Sequence, residues 1–169
     1  MKQAQARMTP QEDPSLMVEL ANLSATERLA ARLAEEARPG DVIGLEGPLG
    51  AGKTAFARGF IGALLGPLDV PSPTFTLVQI YEGAAAPIWH FDLYRLTKPM
   101  EADELGLDDA LAAGITLIEW PERLGDRMPP DRLTLRLDPG PNEGARRAHL
   151  MAHGPRARQW LDAVREAMS

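Results

Sequence analysis

The sequence predicts an α/β sandwich with a mixed sheet, a parallel core carrying antiparallel hairpins. Three observations carry this expectation. Val42–Glu46 is a compact, mostly apolar segment of the kind buried on both faces of a parallel sheet. A glycine-rich turn and a helical stretch follow it directly. Strand and helix signals alternate in the first half of the chain, whereas the later strand signals come in close pairs suited to hairpins. At 169 residues, the length fits one domain. Residues 1–14 are polar and read as a disordered tail, which leaves 15–169 as the single domain.

Taken in order, Leu16–Leu20 reads as a short strand. Ser24-Ala25-Thr26-Glu27 has the form of a capping box, and Leu29, Ala30, Leu33 and Ala34 continue it as a helical stripe. Arg38-Pro39-Gly40-Asp41 stops that helix. After the strand Val42–Glu46 and its glycine turn, a helix runs from about Lys53 to Leu65 and closes at Gly66-Pro67. Thr76–Tyr81 and Ile88–Leu93 are two strands, joined by a connection short enough for an antiparallel hairpin. Ala102–Ala113 is helical but interrupted by Gly106. Ile115–Glu119 is another apolar strand, ending on an acid. Arg132–Leu137 and Ala145–Met151 form a second hairpin around Pro139-Gly140-Pro141, and Ala157–Met168 closes as a helix.

Composition narrows the class. The absence of cysteine excludes disulfides and thiolate metal sites. No apolar run of about 20 residues is available to span a membrane, and Met1–Asp13 lacks the apolar segment of a secretory signal. A cytoplasmic protein without membrane contact is therefore expected. The net charge of −6 and pI of about 5.1 lack the basic footprint of an independent nucleic-acid binder. The charge is uneven: residues 1–130 carry 11 basic and 19 acidic side chains, and residues 131–169 carry 7 and 5. Arg146, Arg147, Arg156 and Arg158 read either as a patch for an acidic partner or, preferably, as the solvated face of a terminal hairpin and helix.

Gly47-Pro48-Leu49-Gly50-Ala51-Gly52-Lys53-Thr54 matches G-x-x-x-x-G-K-[ST] at every fixed position, with a strand before and a helix after. The fold expectation thus becomes P-loop NTPase-like. Gly47, Gly50 and Gly52 let backbone N–H groups, including those of Leu49 and Ala51, converge on phosphates at the positive end of the following helix. Lys53 supplies charge to the β- and γ-phosphates, and the Thr54 hydroxyl ligates Mg²⁺. ATP or ADP with Mg²⁺ are the implied cofactors. Lysine is otherwise scarce, occurring only at Lys2 and Lys98 beside fifteen arginines. Its retention here favours the phosphate role.

Such a site also needs a strand-end acid for the metal and a group to orient the attacking water. Asp92 and Glu119 both qualify, and their roles are interchangeable on sequence grounds. Pro71-Ser72-Pro73-Thr74-Phe75 lies where a switch-like loop meets the γ-phosphate, with Ser72 and Thr74 offering hydroxyls. His90 reads as a structural strand residue, and His149 and His153 show no zinc spacing. Trp120 reads as packing rather than nucleotide stacking. Pro121 biases Trp120 away from helical geometry and so directs the chain out of the strand after Glu119.

The P-loop together with Ser72-Pro73-Thr74-Phe75, His90-Phe91-Asp92-Leu93-Tyr94-Arg95-Leu96 and Ile118-Glu119-Trp120-Pro121-Glu122-Arg123-Leu124 resembles the bacterial tRNA threonylcarbamoyladenosine biosynthesis ATPase family, TsaE, over roughly Ser24 to Pro130. The resemblance implies a cytoplasmic ATPase that helps install threonylcarbamoyl on adenosine 37 of tRNAs reading ANN codons. It implies action on a complex of the transferase and its non-catalytic paralogue, with tRNA met only indirectly. It further implies that Lys53 holds phosphates, that Thr54 and Asp92 organise Mg²⁺, and that Thr74 belongs to the switch-like loop. Glu119 would be needed for hydrolysis and stands as a second metal candidate, and Trp120 matches a position near the nucleotide. Two alternatives belong to other classes. A P-loop small-molecule kinase would show an arginine-rich lid, and none is evident between Lys53 and Pro130. A nucleotide-dependent binding module would bind without turnover. A GTPase is disfavoured because no Asn-Lys-x-Asp motif occurs.

Overall fold

The computed structural model describes residues 14–66, 76–83 and 85–168. The strands are β1 (Ser15–Leu20), β2 (Val42–Glu46), β3 (Val78–Tyr81), β4 (Ile88–Asp92), β5 (Ile115–Glu119), β6 (Arg132–Pro139) and β7 (Arg146–His153). The helices are α1 (Leu23–Glu35), α2 (Lys53–Leu65), the short α3 (Glu101–Glu104) and α4 (Leu107–Ala113), and α5 (Pro155–Met168), with a 3₁₀ segment at Pro121–Arg127. All seven strands join one sheet in the order β1-β7-β6-β2-β5-β4-β3. The centre, β4-β5-β2-β6, is parallel. β3 pairs antiparallel at one edge, and β7 and β1 do so at the other. The expected mixed sheet with a parallel core is the observed one.

The helices lie on both faces of the sheet. Leu29, Leu33, Phe56, Phe60, Trp160 and Leu161 from α1, α2 and α5 pack on Ile43, Leu45, Leu117, Leu135 and Leu150. On the other face, Ala102, Leu107 and Leu124 pack on Phe91, Leu93 and Ile118. Alternation along a strand then sorts the polar residues. On β4, Ile88 joins the first core and Phe91 the second, so His90 and Asp92 face α2. On β5, Leu117 carries Glu119 to the same face. The register pairs Leu45 and Asp92 each with Glu119, which brings the carboxyl ends of β2, β5 and β4 to one edge, where open α/β sheets bind ligands.

Two local expectations are corrected, and a third holds. Helix α1 begins at Leu23, with extended Asn22 as its cap; the Asn22 side chain accepts from the Ala25 amide at 2.9 Å. Ser24 therefore lies inside the first turn, and its hydroxyl accepts from Arg28. Asparagine caps at least as well as serine, and the earlier start buries Thr26 with Leu29 and Ala30. As expected, the helical stretch after Met100 is interrupted at Gly106, which is left-handed (φ 89°) and where a Cβ would strike the Trp89 ring. The C-terminal arginines form neither a free patch nor a merely solvated face. Arg147 pairs with Glu19 at 2.7 Å, Arg156 holds buried Asp41 at 2.8 and 2.9 Å, and Arg146 turns to the glycine loop. No helix among the described residues is long and apolar enough to cross a membrane.

Candidate nucleotide site

The loop between β2 and α2 holds Gly47, Gly50 and Gly52 at φ of 136°, 79° and 103°, which L side chains rarely adopt. At Gly47, a Cβ would also collide with the Leu137 carbonyl oxygen. Gly52 leads directly into α2, whose N-terminus has no side-chain cap. Its first amides thus remain available to an anion.

Arg146, at the start of β7, grips this loop from outside. Its Nε donates to the Ala51 carbonyl at 2.6 Å and an Nη to the Gly50 carbonyl at 3.1 Å. A trans peptide points its C=O and N–H in opposite directions. Holding the Ala51 carbonyl outward therefore aims the Gly52 N–H inward. Nothing in the local sequence marked Arg146 for this role.

Lys53 is 4% exposed. Its Nζ donates to the Gly47 carbonyl and, at 3.3 Å, to that of Pro48, and lies 3.7 Å from the centroid of the Trp120 ring. Burial holds its pKa below the usual lysine value; the charges of Glu119, Glu122 and Asp92 oppose that shift, and Arg136 adds to it. A cation only partly compensated in this way gains from an arriving phosphate.

Glu119, 3% exposed, is the junction of the site. Thr54 Oγ1 lies 3.2 and 3.1 Å from its two carboxylate oxygens, and His90 Nε2 lies 2.7 Å from Oε2. Asp92, on the next strand, is 6% exposed and accepts from the Tyr94 amide at 3.1 Å. Leu49, Gly50, Gly52, Lys53, Thr54, Asp92 and Glu119 all line one cleft of about 290 Å³, with Gly47 and buried Ala51 in the loop behind it. Of the two acids that sequence left interchangeable, Glu119 is the one hydrogen-bonded to Thr54, because β5 is the immediate neighbour of β2. Thr74 and Ser72 lie outside the described residues.

Trp120 does more than pack. Its ring lines the cleft, contacts Lys53 and lies 4.9 Å from the Tyr94 ring at 51°. Its backbone is left-handed (φ 61°, ψ 53°), not the extended form that Pro121 favours. The Trp120 amide donates to the Leu45 carbonyl at 3.3 Å, and the chain turns at once into the 3₁₀ segment. These contacts outweigh a backbone cost of about 1–3 kcal/mol.

A metal and nucleotide fit these residues. The loop holds its three glycines in left-handed backbone, the helix end is uncapped, and a hydroxyl and a carboxylate meet beside it. That oxygen pair suits Mg²⁺, which takes its remaining ligands from phosphates and water.

Comparison with known proteins agrees in one direction. The family model described as threonylcarbamoyl adenosine biosynthesis protein TsaE matches residues 20–148. A tRNA threonylcarbamoyladenosine biosynthesis protein TsaE from Rickettsia felis is 41% identical over 123 residues, 72% of either chain. Its counterpart from Bacillus subtilis is 40% identical over 115 residues, 68% of this chain and 72% of that one. Among solved structures, that of YdiB from Bacillus subtilis superposes with a TM-score of 0.80 at 29% identity, covering 94% of this chain and 99% of the other.

Proposed function

The chain belongs to the TsaE family of threonylcarbamoyl adenosine biosynthesis proteins, and on that premise we propose that it binds ATP with Mg²⁺ and hydrolyses it in support of tRNA threonylcarbamoylation. The observation that carries the reading is the pair of Thr54–Glu119 hydrogen bonds, which joins the phosphate loop to a strand-end acid beside buried Lys53. Phosphates are held by the inward amides of the Gly47–Thr54 loop and by Lys53, which exchanges its backbone carbonyl partners for phosphate oxygens. Thr54 and Glu119 hold the metal. When bound, Mg²⁺ offsets negative charge on the phosphate oxygens during transfer. Asp92, fixed by the Tyr94 amide on the adjoining strand, orients the attacking water as a general base. This assignment exchanges the roles of Asp92 and Glu119 relative to those the resemblance implies, because Thr54 bonds Glu119.

In the cell, the protein works in the cytoplasm on the threonylcarbamoyl transferase and its non-catalytic paralogue, meeting tRNA only through them. The deciding experiment measures ATP hydrolysis and multiple-turnover threonylcarbamoyl transfer with purified partner proteins, with and without Mg²⁺. Mg²⁺-dependent hydrolysis that sustains transfer is expected. Tight ATP binding without turnover would favour a nucleotide-gated binding module, and ATP-dependent phosphorylation of a small molecule would favour a kinase.

A further inference from the structure

His90 takes no part in the mechanism above, yet its setting is unusual for a filler of a strand. It is fully buried (0% exposed) in mid-β4, with Ile88 and Asp92 its neighbours on the same face of that strand and Leu117 opposite it on β5. Its Nε2 lies 2.7 Å from Glu119 Oε2, and its Nδ1 has no hydrogen-bond partner among the described residues. Burying an imidazole costs free energy unless its polar atoms are satisfied, and here the Glu119 carboxylate is the partner that offsets the cost.

We propose that His90 is a positioning residue: its Nε2–H donates to Oε2 of Glu119, pins that oxygen and leaves Oε1 for the metal. The inference rests on the ATP reading of the site. The tautomer follows from the hydrogen-bond inventory. A neutral imidazole has one N–H. On Nδ1, that proton would be a buried donor without an acceptor, and the bare Nε2 lone pair would confront a carboxylate oxygen. On Nε2, the proton meets the carboxylate, and only an acceptor is left unpaired.

Thr54 cannot do the same job. Its single hydroxyl proton serves one oxygen at a time, although Oγ1 stands almost equally far from both. Metal coordination would use a lone pair of that oxygen, so its one proton could still reach only a single carboxylate oxygen. His90 is then the side chain that keeps the carboxylate from rotating. It is well placed to do so, since both residues sit on adjacent, buried, register-locked strands.

The test has two readouts. In the nucleotide-free protein, nitrogen-15 NMR of His90 should show a proton on Nε2; an Nε2 without a proton overturns the proposal. The second readout is ADP affinity with and without Mg²⁺ in the parent, His90→Leu and His90→Gln, with melting temperatures alongside. His90→Leu should keep its metal-free ADP affinity but lose the affinity that Mg²⁺ adds by roughly 10–100-fold, the scale for removing a group that orients a metal ligand. His90→Gln, which restores an amide donor near the Nε2 position, should recover most of it. Parent-like behaviour of His90→Leu overturns the inference. So do equal losses of metal-free and metal-supported binding in both variants, which would mark a packing role. If the parent binds no nucleotide, the ATP reading fails, and the NMR tautomer still judges His90.

Discussion

Replacing Arg146 by alanine tests whether the phosphate loop is shaped from outside. The substitution removes the guanidinium contacts to the Ala51 and Gly50 carbonyls, at 2.6 and 3.1 Å. A hydrogen bond to a charged group contributes about 1.5–3 kcal/mol. The Nη contact to Gly50 is solvent-exposed and is discounted accordingly. About 2 kcal/mol is then left to hold the loop with the Gly52 N–H turned inward. The loss falls on the population of the shaped loop rather than on the core. Apparent affinity scales with the competent fraction, so 2 kcal/mol corresponds to nucleotide binding weaker by up to about 30-fold. Lysine has one compact ammonium in place of a planar fork and cannot reproduce both contacts, so Arg146→Lys should fall between. The assay is titration of a fluorescent ATP analogue, with hydrogen exchange at Ala51 and Gly52 and a melting curve on the same sample. Unchanged affinity and unchanged loop exchange in Arg146→Ala would refute the reasoning. A large fall in melting temperature with no selective effect on the loop would show that the residue only joins β7 to its surroundings.

Other perturbations separate the roles in the site. Lys53→Met should weaken ATP binding by the 1.5–3 kcal/mol of a charge-assisted contact while leaving the nucleotide-free protein as stable or more so, since burial already disfavours the charge. The sign with pH follows. The native pKa lies below 10.5, so between the two values the unfolded chain binds more protons and stability from Lys53 rises with pH. Melting curves across the alkaline range should show that rise in the parent and its loss in Lys53→Met. Glu119→Gln should lose the Mg²⁺ dependence of nucleotide binding together with hydrolysis. Asp92→Asn should bind Mg·ATP yet hydrolyse it on the order of 10²-fold more slowly; paired affinity and single-turnover measurements that gave the reverse pattern would exchange the two acids. Gly47→Ala combines a left-handed backbone with a collision at the Leu137 carbonyl. It should destabilise by about 3 kcal/mol or more, read by denaturant unfolding.

The sequence by itself determined what depends on neighbours in the chain. The phosphate loop is eight consecutive residues whose glycines permit its shape and whose flanks make strand and helix, so Gly47–Thr54 was legible without a fold. Apolar patterning placed the strands and helices closely enough to give a mixed sheet with a parallel centre. What only the tertiary structure decided is long-range. Asp92 and Glu119 carry the same local signal, an acid ending an apolar strand, and only the order β2-β5-β4 puts Glu119 beside Thr54. Arg146 reaches the loop across 96 residues of chain, and His90 meets Glu119 through strand pairing. At Trp120 the local preference was overridden, because a hydrogen bond to β2 and ring contacts with Lys53 and Tyr94 outweigh the bias that Pro121 imposes. Backbone propensity is set by adjacent residues and amounts to a kcal/mol or so per position, whereas the partner of a buried polar group is set by sheet order and register, which no single segment encodes.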